Sequence, residues 1–229
     1  MVGKAVITAA GMGTRLFPAT KETPKEMLPF FARGSDGALC TKPLLQVIFE
    51  TLFHGGLREY CIITGRSKRA IEDHFTEDLT SMEWLKKRGK DEAADSLRPL
   101  YSILEESTIV WINQPEPWGF GDAVYRAKPF VEDEEFIAHA GDTLILSKRR
   151  AYVQSLIATH TERRSEATFF VKAVENPQLY GVVEGEATAE GVLNVKRVVE
   201  KPRTPPTNLA IVPVYAFNPL VFKALENTQ

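Results

Sequence analysis

The chain has 229 residues, a formal net charge of −2 and a hydrophobic fraction of 44%, which suits one α/β core and gives no electrostatic reason to expect nucleic acid or a membrane surface as a partner. The sequence contains no signal-peptide pattern and no apolar run near the roughly 20 residues of a membrane span. Cys40 and Cys61 lack C-x-x-C spacing, so we expect reduced cysteines and a cytoplasmic protein.

The first predicted strand, 5–10, leads into a loop that combines glycines with two cations. Gly11 and Gly13 let backbone N–H groups approach an anion, while Arg15 offers a planar donor fork and Lys25 a compact charge. Three prolines restrict the segment, which lowers the entropy lost on binding. The stretch therefore indicates a phosphate-binding loop, although Gly-x-Gly after a strand is often only a tight turn, and neither the dinucleotide-binding pattern nor the P-loop is complete.

Helical patterns dominate the next stretch of the chain. A polar, glycine-containing loop is predicted over 30–41, and then a helix that starts at Pro43 and is closed by glycines at 55 and 56. A strand at 59–64 precedes a helix over 68–75 that Ser67 would cap. The charged, helix-favouring composition of 76–107 then predicts a helical insertion.

A second distinctive loop, QPEPWGFGDAV, follows the strand predicted at 108–113. Gln114 can donate to and accept from the edge of a base through one amide, and Gly119 lets the backbone come close to a ring plane. Taken alone, a glutamine here is more often a surface polar residue.

The strand predicted at 135–140 ends in Gly141-Asp142. A carboxylate at the C-terminal end of a strand in an open α/β sheet lies where ligands and metals collect, and Asp142 is a hard oxygen ligand suited to Mg²⁺. The alternative is an aspartate that merely starts a turn.

The remainder of the chain is predicted to be mostly strands. A helix over 149–161 precedes strands at 167–174, 179–185, 192–200 and 208–217, and a last helix begins at Pro219. Glu200 and Lys201 stand at the end of the third of these strands, where such a pair is usually a solvated edge.

Several motifs nevertheless occur in one order along the chain: G-x-G-T-R-x-x-P-x-T with P-K-E-x-L-P, then Gln114 with a glycine five residues later, then Gly141-Asp142, and finally V-E-K-P at 199–202. Together they resemble the signature of the sugar-1-phosphate nucleotidyltransferases, and TKETPKEMLP resembles the bacterial-type UTP-glucose-1-phosphate uridylyltransferases in particular. The resemblance covers about 5–225. It implies an α/β, Rossmann-like three-layer α/β/α nucleotidyltransferase fold with a mixed, mostly parallel central sheet, and a single domain over 1–229 with a helical insertion at 76–107.

The resemblance also implies a set of site residues. Arg15 and Lys25 would be catalytic, and Asp142 would hold Mg²⁺. The residues expected to bind the nucleotide are Ala10, Gly11, Gly13, Thr14, Gln114, Gly119 and Asp142. Those expected to bind the sugar phosphate are Gly181, Glu200 and Lys201.

The reaction implied by the resemblance joins UTP and glucose 1-phosphate into UDP-glucose and pyrophosphate. Its alternatives are an enzyme that uses dTTP or GTP and a non-catalytic regulator that binds a sugar nucleotide. Members of the family continue beyond the position of residue 229, through a second metal-binding aspartate and elements that form oligomer contacts. The sequence therefore leaves open a fragment or a naturally short relative, and also the formation of a homo-oligomer.

Overall fold

The first strand shows how the layers of the molecule arise. The computed structural model describes residues 2–34, 37–147, 151–188 and 191–227. Along β1 (Lys4–Ala9), Ala5 and Ile7 face one buried cluster while Val6, between them, faces another. Because successive side chains of a strand point to opposite faces, an uninterrupted apolar run is what a strand buried on both faces requires.

The strands form one large sheet and one separate hairpin. In chain order after β1 they are β2 (Pro29–Arg33), β3 (Leu39–Pro43), β4 (Glu59–Gly65), β5 (Thr108–Gln114), β6 (Phe136–Ala140), β7 (Ala167–Ala173), β8 (Gly181–Ala187), β9 (Leu193–Glu200) and β10 (Leu209–Phe217). The sheet has the order β5-β4-β1-β6-β10-β8-β9, with β7 also paired to β10, whereas β2 pairs only with β3. Strands β5, β4, β1 and β6 run parallel, and β10 joins β6 antiparallel. The predicted mixed sheet is confirmed.

Helices cover both faces of this sheet. They are α1 (Leu44–His54), α2 (Arg69–His74), α3 (Leu79–Lys87), α4 (Asp91–Asp95), α5 (Arg98–Glu105), α6 (Phe120–Arg126), α7 (Lys128–Val131), α8 (Tyr152–Arg163) and α9 (Leu220–Glu226). Buried residues of α1, α5 and α8 belong to the cluster on one face, and those of α6, α7 and α9 to the cluster on the other. The three-layer arrangement is therefore the predicted one. Among these helices, none has the length and hydropathy to cross a membrane.

Two local predictions are wrong. The stretch 30–41 is not a loop: most of it lies in the hairpin β2–β3, which leads directly into α1. No residue of either strand is buried, and the large apolar side chains of Phe31 and Leu39 are exposed, so the sequence lacks the apolar alternation that reveals a half-buried strand. Ser67 does not cap α2, because it has a left-handed φ of 68° and the helix begins after Lys68 without a side-chain cap.

Smaller differences concern where elements begin. Pro43 precedes α1 with an extended ψ of 143° rather than opening its first turn. The stretch predicted as a helical insertion contains α3, α4 and α5. Helix α8 begins at Tyr152, and the predicted start at 149 lies outside the described residues. In β10, the pairing with β7 is irregular between Ile211 and Tyr215, a stretch containing Pro213, which has no N–H to contribute to a ladder.

Candidate active site

The strand register places the expected nucleotide and metal residues along one edge of the sheet. Gln114 at the end of β5 is paired with Gly65 of β4, and a side chain built on Gly65 would lie 3.0 Å from the carbonyl oxygen of Ala10. On the other side of β1, the N–H of Gly141 donates to the carbonyl of Thr8, which brings Asp142 beside the loop that follows β1. Because the C-terminal ends of parallel strands meet at one edge, these residues converge although they come from distant parts of the sequence.

The same row continues into the antiparallel part of the sheet. Val214 of β10 pairs with His139 of β6, and Ala210 pairs with Val182 of β8. Gly181 therefore lies next to β10, and it pairs with Glu200 of β9. The residues expected to bind the sugar phosphate thus continue the line on which the nucleotide residues lie.

A cavity of about 490 Å³ lies at the loop that follows β1. Its lining includes Gly13, Thr14, Arg15, Lys25 and Asp142, together with apolar residues at the start of the β2–β3 hairpin and of α1. The loop, two cations and a carboxylate thus surround one space large enough for several phosphate groups.

Gly13 turns the loop around this cavity. Its φ of 69° lies in the left-handed region, which a glycine adopts without a Cβ penalty, and its carbonyl accepts a hydrogen bond from Thr20 Oγ1 at 2.7 Å. The 3-10 turn of Thr14–Leu16 begins directly after it and presents Arg15 at the surface of the cavity. The local chain therefore fixes the position of the backbone N–H groups that an anion would meet.

Lys25 forms an ion pair with Asp142 across the cavity. The two side chains are 18% and 32% exposed, so a ligand in the cavity can reach both. The Lys25 ammonium lies 3.1 Å from where a Cβ on Gly11 would be, so a larger residue at that position would crowd the ammonium. The residue types that the sequence assigned to phosphate and to metal are thus in direct contact.

A buried ion pair anchors the turn that bears Lys25, and the sequence reading missed it. Glu26 lies in the 3-10 turn Lys25–Met27 with its side chain fully buried, and Lys68 Nζ donates to its Oε2 at 2.8 Å. The second carboxylate oxygen, Oε1, is buried without a partner in the described structure. Burial raises the pKa of Glu26, and the Lys68 ammonium opposes that rise. The KEM motif in TKETPKEMLP was the only available signal, and it did not reveal the partner 42 residues away.

The amide of Gln114 is held by the protein. It is buried, and its Nε2 donates to the Gly119 carbonyl at 3.1 Å and to Asp122 Oδ2 at 2.6 Å. In the described structure both N–H groups of this amide are therefore engaged by the protein. Gly119 has a φ of 99°, which keeps the loop close to Gln114. Asp122, to which no role was assigned from the sequence, contacts this amide directly.

Asp122 is ionised in this arrangement. Burial alone would raise its pKa, but hydrogen bonds from Arg126 and Gln114 and the charge of Arg126 together lower the pKa below its usual value. Arg126 Nε lies 2.8 Å from Oδ2, one helical turn along α6. The carboxylate is thus fixed from two sides.

The residues expected to bind the sugar phosphate are much more open. The side chains of Glu200 and Lys201 are 70% and 64% exposed and form an ion pair with each other at 2.9 Å. A side chain on Gly181 would lie 3.0 Å from Glu200 Oε2, so glycine keeps that approach free. Lys201 has a left-handed φ of 40°, and its N–H donates to the carbonyl of Tyr180 at 3.1 Å.

His139 lies on β6, three residues before Asp142, and is fully buried in the core. Its Nδ1 donates to the carbonyl of Ala140 at 2.8 Å, and its Nε2 accepts from the Tyr152 hydroxyl at 3.0 Å. Complete burial lowers the pKa of His139 to about 4, more than the Ala140 carbonyl and the Asp142 charge raise it. The residue is therefore neutral near pH 7.

Comparison with known proteins gives the family. The family described as nucleotidyl transferase matches residues 4–229. The chain belongs to this family. The UTP-glucose-1-phosphate uridylyltransferase of Bacillus subtilis is 37% identical over all of this chain and 75% of its own length, and that of Staphylococcus epidermidis is 35% identical over all of this chain and 76% of its own. The predicted family is confirmed.

Solved structures named as UDP-glucose pyrophosphorylases share this fold. A UDP-glucose pyrophosphorylase complexed with UDP-glucose is 29% identical with a TM-score of 0.82, and covers 99% of this chain and 80% of its own. A UTP-bound enzyme of the same kind from Acinetobacter baumannii is 27% identical with a TM-score of 0.85, and covers 100% of this chain and 78% of its own. The predicted fold class is confirmed.

Proposed function

We propose that this nucleotidyl transferase forms UDP-glucose and pyrophosphate from UTP and glucose 1-phosphate. The observation that carries the proposal is the convergence of Arg15, Lys25 and Asp142 on one cavity, beside a glycine loop. This cavity lies between the buried amide of Gln114 on β5 and the open Glu200–Lys201 pair on β9. The relatives named for this activity support the choice of substrates.

The reaction is an in-line displacement. A phosphate oxygen of glucose 1-phosphate attacks the α-phosphorus of UTP, the bond from that phosphorus to the bridging oxygen breaks, and pyrophosphate leaves with the electron pair. The attacking phosphate is already ionised, so no general base is needed, and positioning and charge neutralisation supply the rate. Lys25 bridges the reacting phosphates, while Arg15 and the N–H groups of Gly11, Gly13 and Thr14 hold the leaving group.

Asp142 is the residue that would hold Mg²⁺. Among the described residues no three His, Cys, Asp or Glu side chains cluster as a metal cage. Mg²⁺ usually takes one or two carboxylates together with waters and substrate phosphates, so a single exposed carboxylate beside a phosphate cavity fits it. When bound, the ion neutralises charge on the triphosphate.

Base and sugar would be recognised at opposite ends of this edge of the sheet. Ala10, Gln114 and Gly119 contact the base, and Gly181 and Glu200 contact the sugar hydroxyls. Lys201 fixes the sugar phosphate. Both cysteines are free thiols, which supports a reducing, cytoplasmic location. We also propose that nucleic acid and membranes are not partners, and leave assembly into a homo-oligomer as a prediction.

One assay tests the proposed reaction. The protein is incubated with Mg²⁺, glucose 1-phosphate and UTP, dTTP, GTP, CTP or ATP in turn, and released pyrophosphate is measured. We expect release with UTP in preference to the others. A signal confined to dTTP or GTP would contradict the choice of nucleotide. Binding of UDP-glucose without pyrophosphate release from any nucleotide would favour the regulator.

A further inference from the structure

The orientation of the Gln114 amide follows from its partners. Its Nε2 donates to Asp122 Oδ2 at 2.6 Å and to the Gly119 carbonyl at 3.1 Å, and the side chain is almost completely buried. Both partners can only accept hydrogen bonds, so both N–H groups of the amide are committed. Turning the amide over would set its carbonyl oxygen against a carboxylate and a carbonyl. The part of this amide left for a ligand is therefore the oxygen, an acceptor.

Asp122 is itself held rigidly. Arg126 donates to it through Nε at 2.8 Å and Nη2 at 3.3 Å, and the Asp122 side chain is 10% exposed. The Arg126 guanidinium also lies 5.8 Å from the ring centre of Trp118, in the loop between Gln114 and α6. A continuous line of contacts thus runs from Trp118 through Arg126 and Asp122 to the amide. A carboxylate fixed in this way cannot turn aside when a base arrives.

We propose that Asp122 is a positioning residue for nucleotide selection, because it holds Gln114 as a hydrogen-bond acceptor. A base is then accepted if the edge facing Gln114 carries an N–H, as uracil and thymine do at N3. Cytosine presents a bare N3 at that place and adenine a bare N1, so each would set a lone pair against the amide oxygen. A site built for one hydrogen-bond pattern rejects the opposite one strongly, since buried polar groups would remain unpaired. The inference rests on the proposed role of Gln114 in binding the base.

The test is the ratio of kcat/KM for UTP to kcat/KM for CTP, measured with Mg²⁺ and glucose 1-phosphate. The wild type is expected to favour UTP. Asp122→Ala should lower the ratio by about tenfold or more, the value of one lost hydrogen bond, through a higher KM for UTP and with the KM for glucose 1-phosphate unchanged. Asp122→Asn keeps an oxygen that can accept from both Gln114 and Arg126, so it should stay within about threefold of the wild type.

Two further variants guard against a structural explanation. Asp73→Ala removes an Arg–Asp pair of the same i,i+4 spacing on α2, whose two side chains are mostly exposed, and should leave the ratio unchanged. Should Asp122→Ala not fold, Asp122→Leu makes the same comparison while filling the space and favouring the helix. Melting temperatures establish which variants are folded.

Gln114→Ala separates failure of the inference from failure of the proposed base site. A lower ratio in Gln114→Ala with an unchanged ratio in Asp122→Ala would overturn the inference and leave Gln114 at the base. An unchanged ratio in Gln114→Ala would overturn both the inference about Asp122 and the proposed role of Gln114 in binding the base. The double variant should lose no more discrimination than Gln114→Ala alone, because the two residues act as one unit, and additive losses would contradict that.

Discussion

The two parts of the sheet present their charged residues in opposite ways. In the nucleotide half, formed by β1, β4, β5, β6 and their loops, Glu26 and Lys68 are buried together, and Lys25 contacts Asp142. In the sugar half, formed by β7–β10, Glu200 and Lys201 are mostly exposed and contact each other. Buried pairs fix geometry but cost desolvation, whereas exposed pairs rearrange cheaply. The residues proposed for phosphate chemistry are thus held rigidly, whereas those proposed for the sugar lie on a surface that can adjust.

The largest effect is expected from breaking the buried pair of the nucleotide half. Lys68→Met leaves the Glu26 carboxylate buried without its partner and should lower the free energy of unfolding by about 3–5 kcal/mol. Urea unfolding at pH 7 measures this. The activity should also fall, because the turn that carries Lys25 loses its anchor.

Two controls belong with Lys68→Met. The double variant Glu26→Met/Lys68→Met removes both charges and should recover most of the stability. Arg98→Met breaks the exposed Asp95–Arg98 pair and should change the free energy of unfolding by less than about 0.5 kcal/mol. Equal losses at Lys68 and Arg98 would remove the contrast between buried and exposed pairs on which the comparison of the two halves rests.

Next in size is the loss of phosphate chemistry. Lys25→Ala should lower kcat by about 10²–10³-fold, the usual result of deleting a group aimed at transition-state charge. Asp142→Asn should also abolish measurable pyrophosphate release. Lys21→Ala is the matched control, since Lys21 lies in the same loop and its exposed side chain pairs with Glu22. Near-normal turnover in Lys25→Ala, with Lys21→Ala also active, would refute the assigned role.

A smaller and differently distributed effect is expected in the sugar half. Lys201→Met should raise the KM for glucose 1-phosphate by about 10–100-fold, the value of a hydrogen bond to a charged group, with little change in the KM for UTP. Lys196→Met provides the control on the strand that ends just before Lys201, because the Lys196 side chain pairs with Glu186 near the other end of that strand. An equal rise in both KM values for Lys201→Met would show that the two halves do not bind the two substrates separately.

The smallest effect is expected on the stability of the protein at acidic pH. The pKa of His139 is lowered from 6.5 to about 4 in the folded protein, so the unfolded state binds the proton more readily between these values. Stability is full above pH 6.5 and falls as the pH drops toward 4, by about 1.4 kcal/mol at pH 5.5. Burial of His74 and His160 lowers their pKa values and acts in the same direction.

Unfolding curves from pH 7.5 to 5 measure this slope. His139→Gln should flatten the curve in part, leaving the contributions of the other two histidines. A curve of unchanged steepness would mean that the histidine beneath the nucleotide half does not set its acid sensitivity.

The sequence predicted best what is buried on both faces. The apolar runs at 5–10, 59–64 and 135–140 became neighbouring strands that helices cover on both faces, so almost every position in them is buried. The strand predicted at 108–113 lies at the edge of the sheet and is only partly buried. The hairpin β2–β3 was missed because none of its residues is buried and its large apolar side chains Phe31 and Leu39 are exposed, so its sequence does not alternate as a half-buried strand does. Register alone then brings the ends of the predicted strands together.

Side-chain contacts between residues that are distant in sequence could not be predicted from apolar patterns. Glu26 and Lys68 are 42 residues apart, and either one looks like an ordinary surface residue in its own segment. The role of Asp122 likewise depends on where α6 places it relative to Gln114. Long-range contacts of single side chains carry no periodic signal, so motifs gave the residue types of the site and the structure gave their partners.

The ion pair between Lys25 and Asp142 has a consequence for ligand affinity. The two residues are 117 positions apart, so the protein carries a tethered competitor for its own phosphate-binding lysine. A triphosphate that reaches Lys25 must first displace that carboxylate, and the measured affinity is the net of both interactions. Asp142→Asn should therefore bind UTP more tightly than the wild type in a chelator-treated titration, even as it loses turnover.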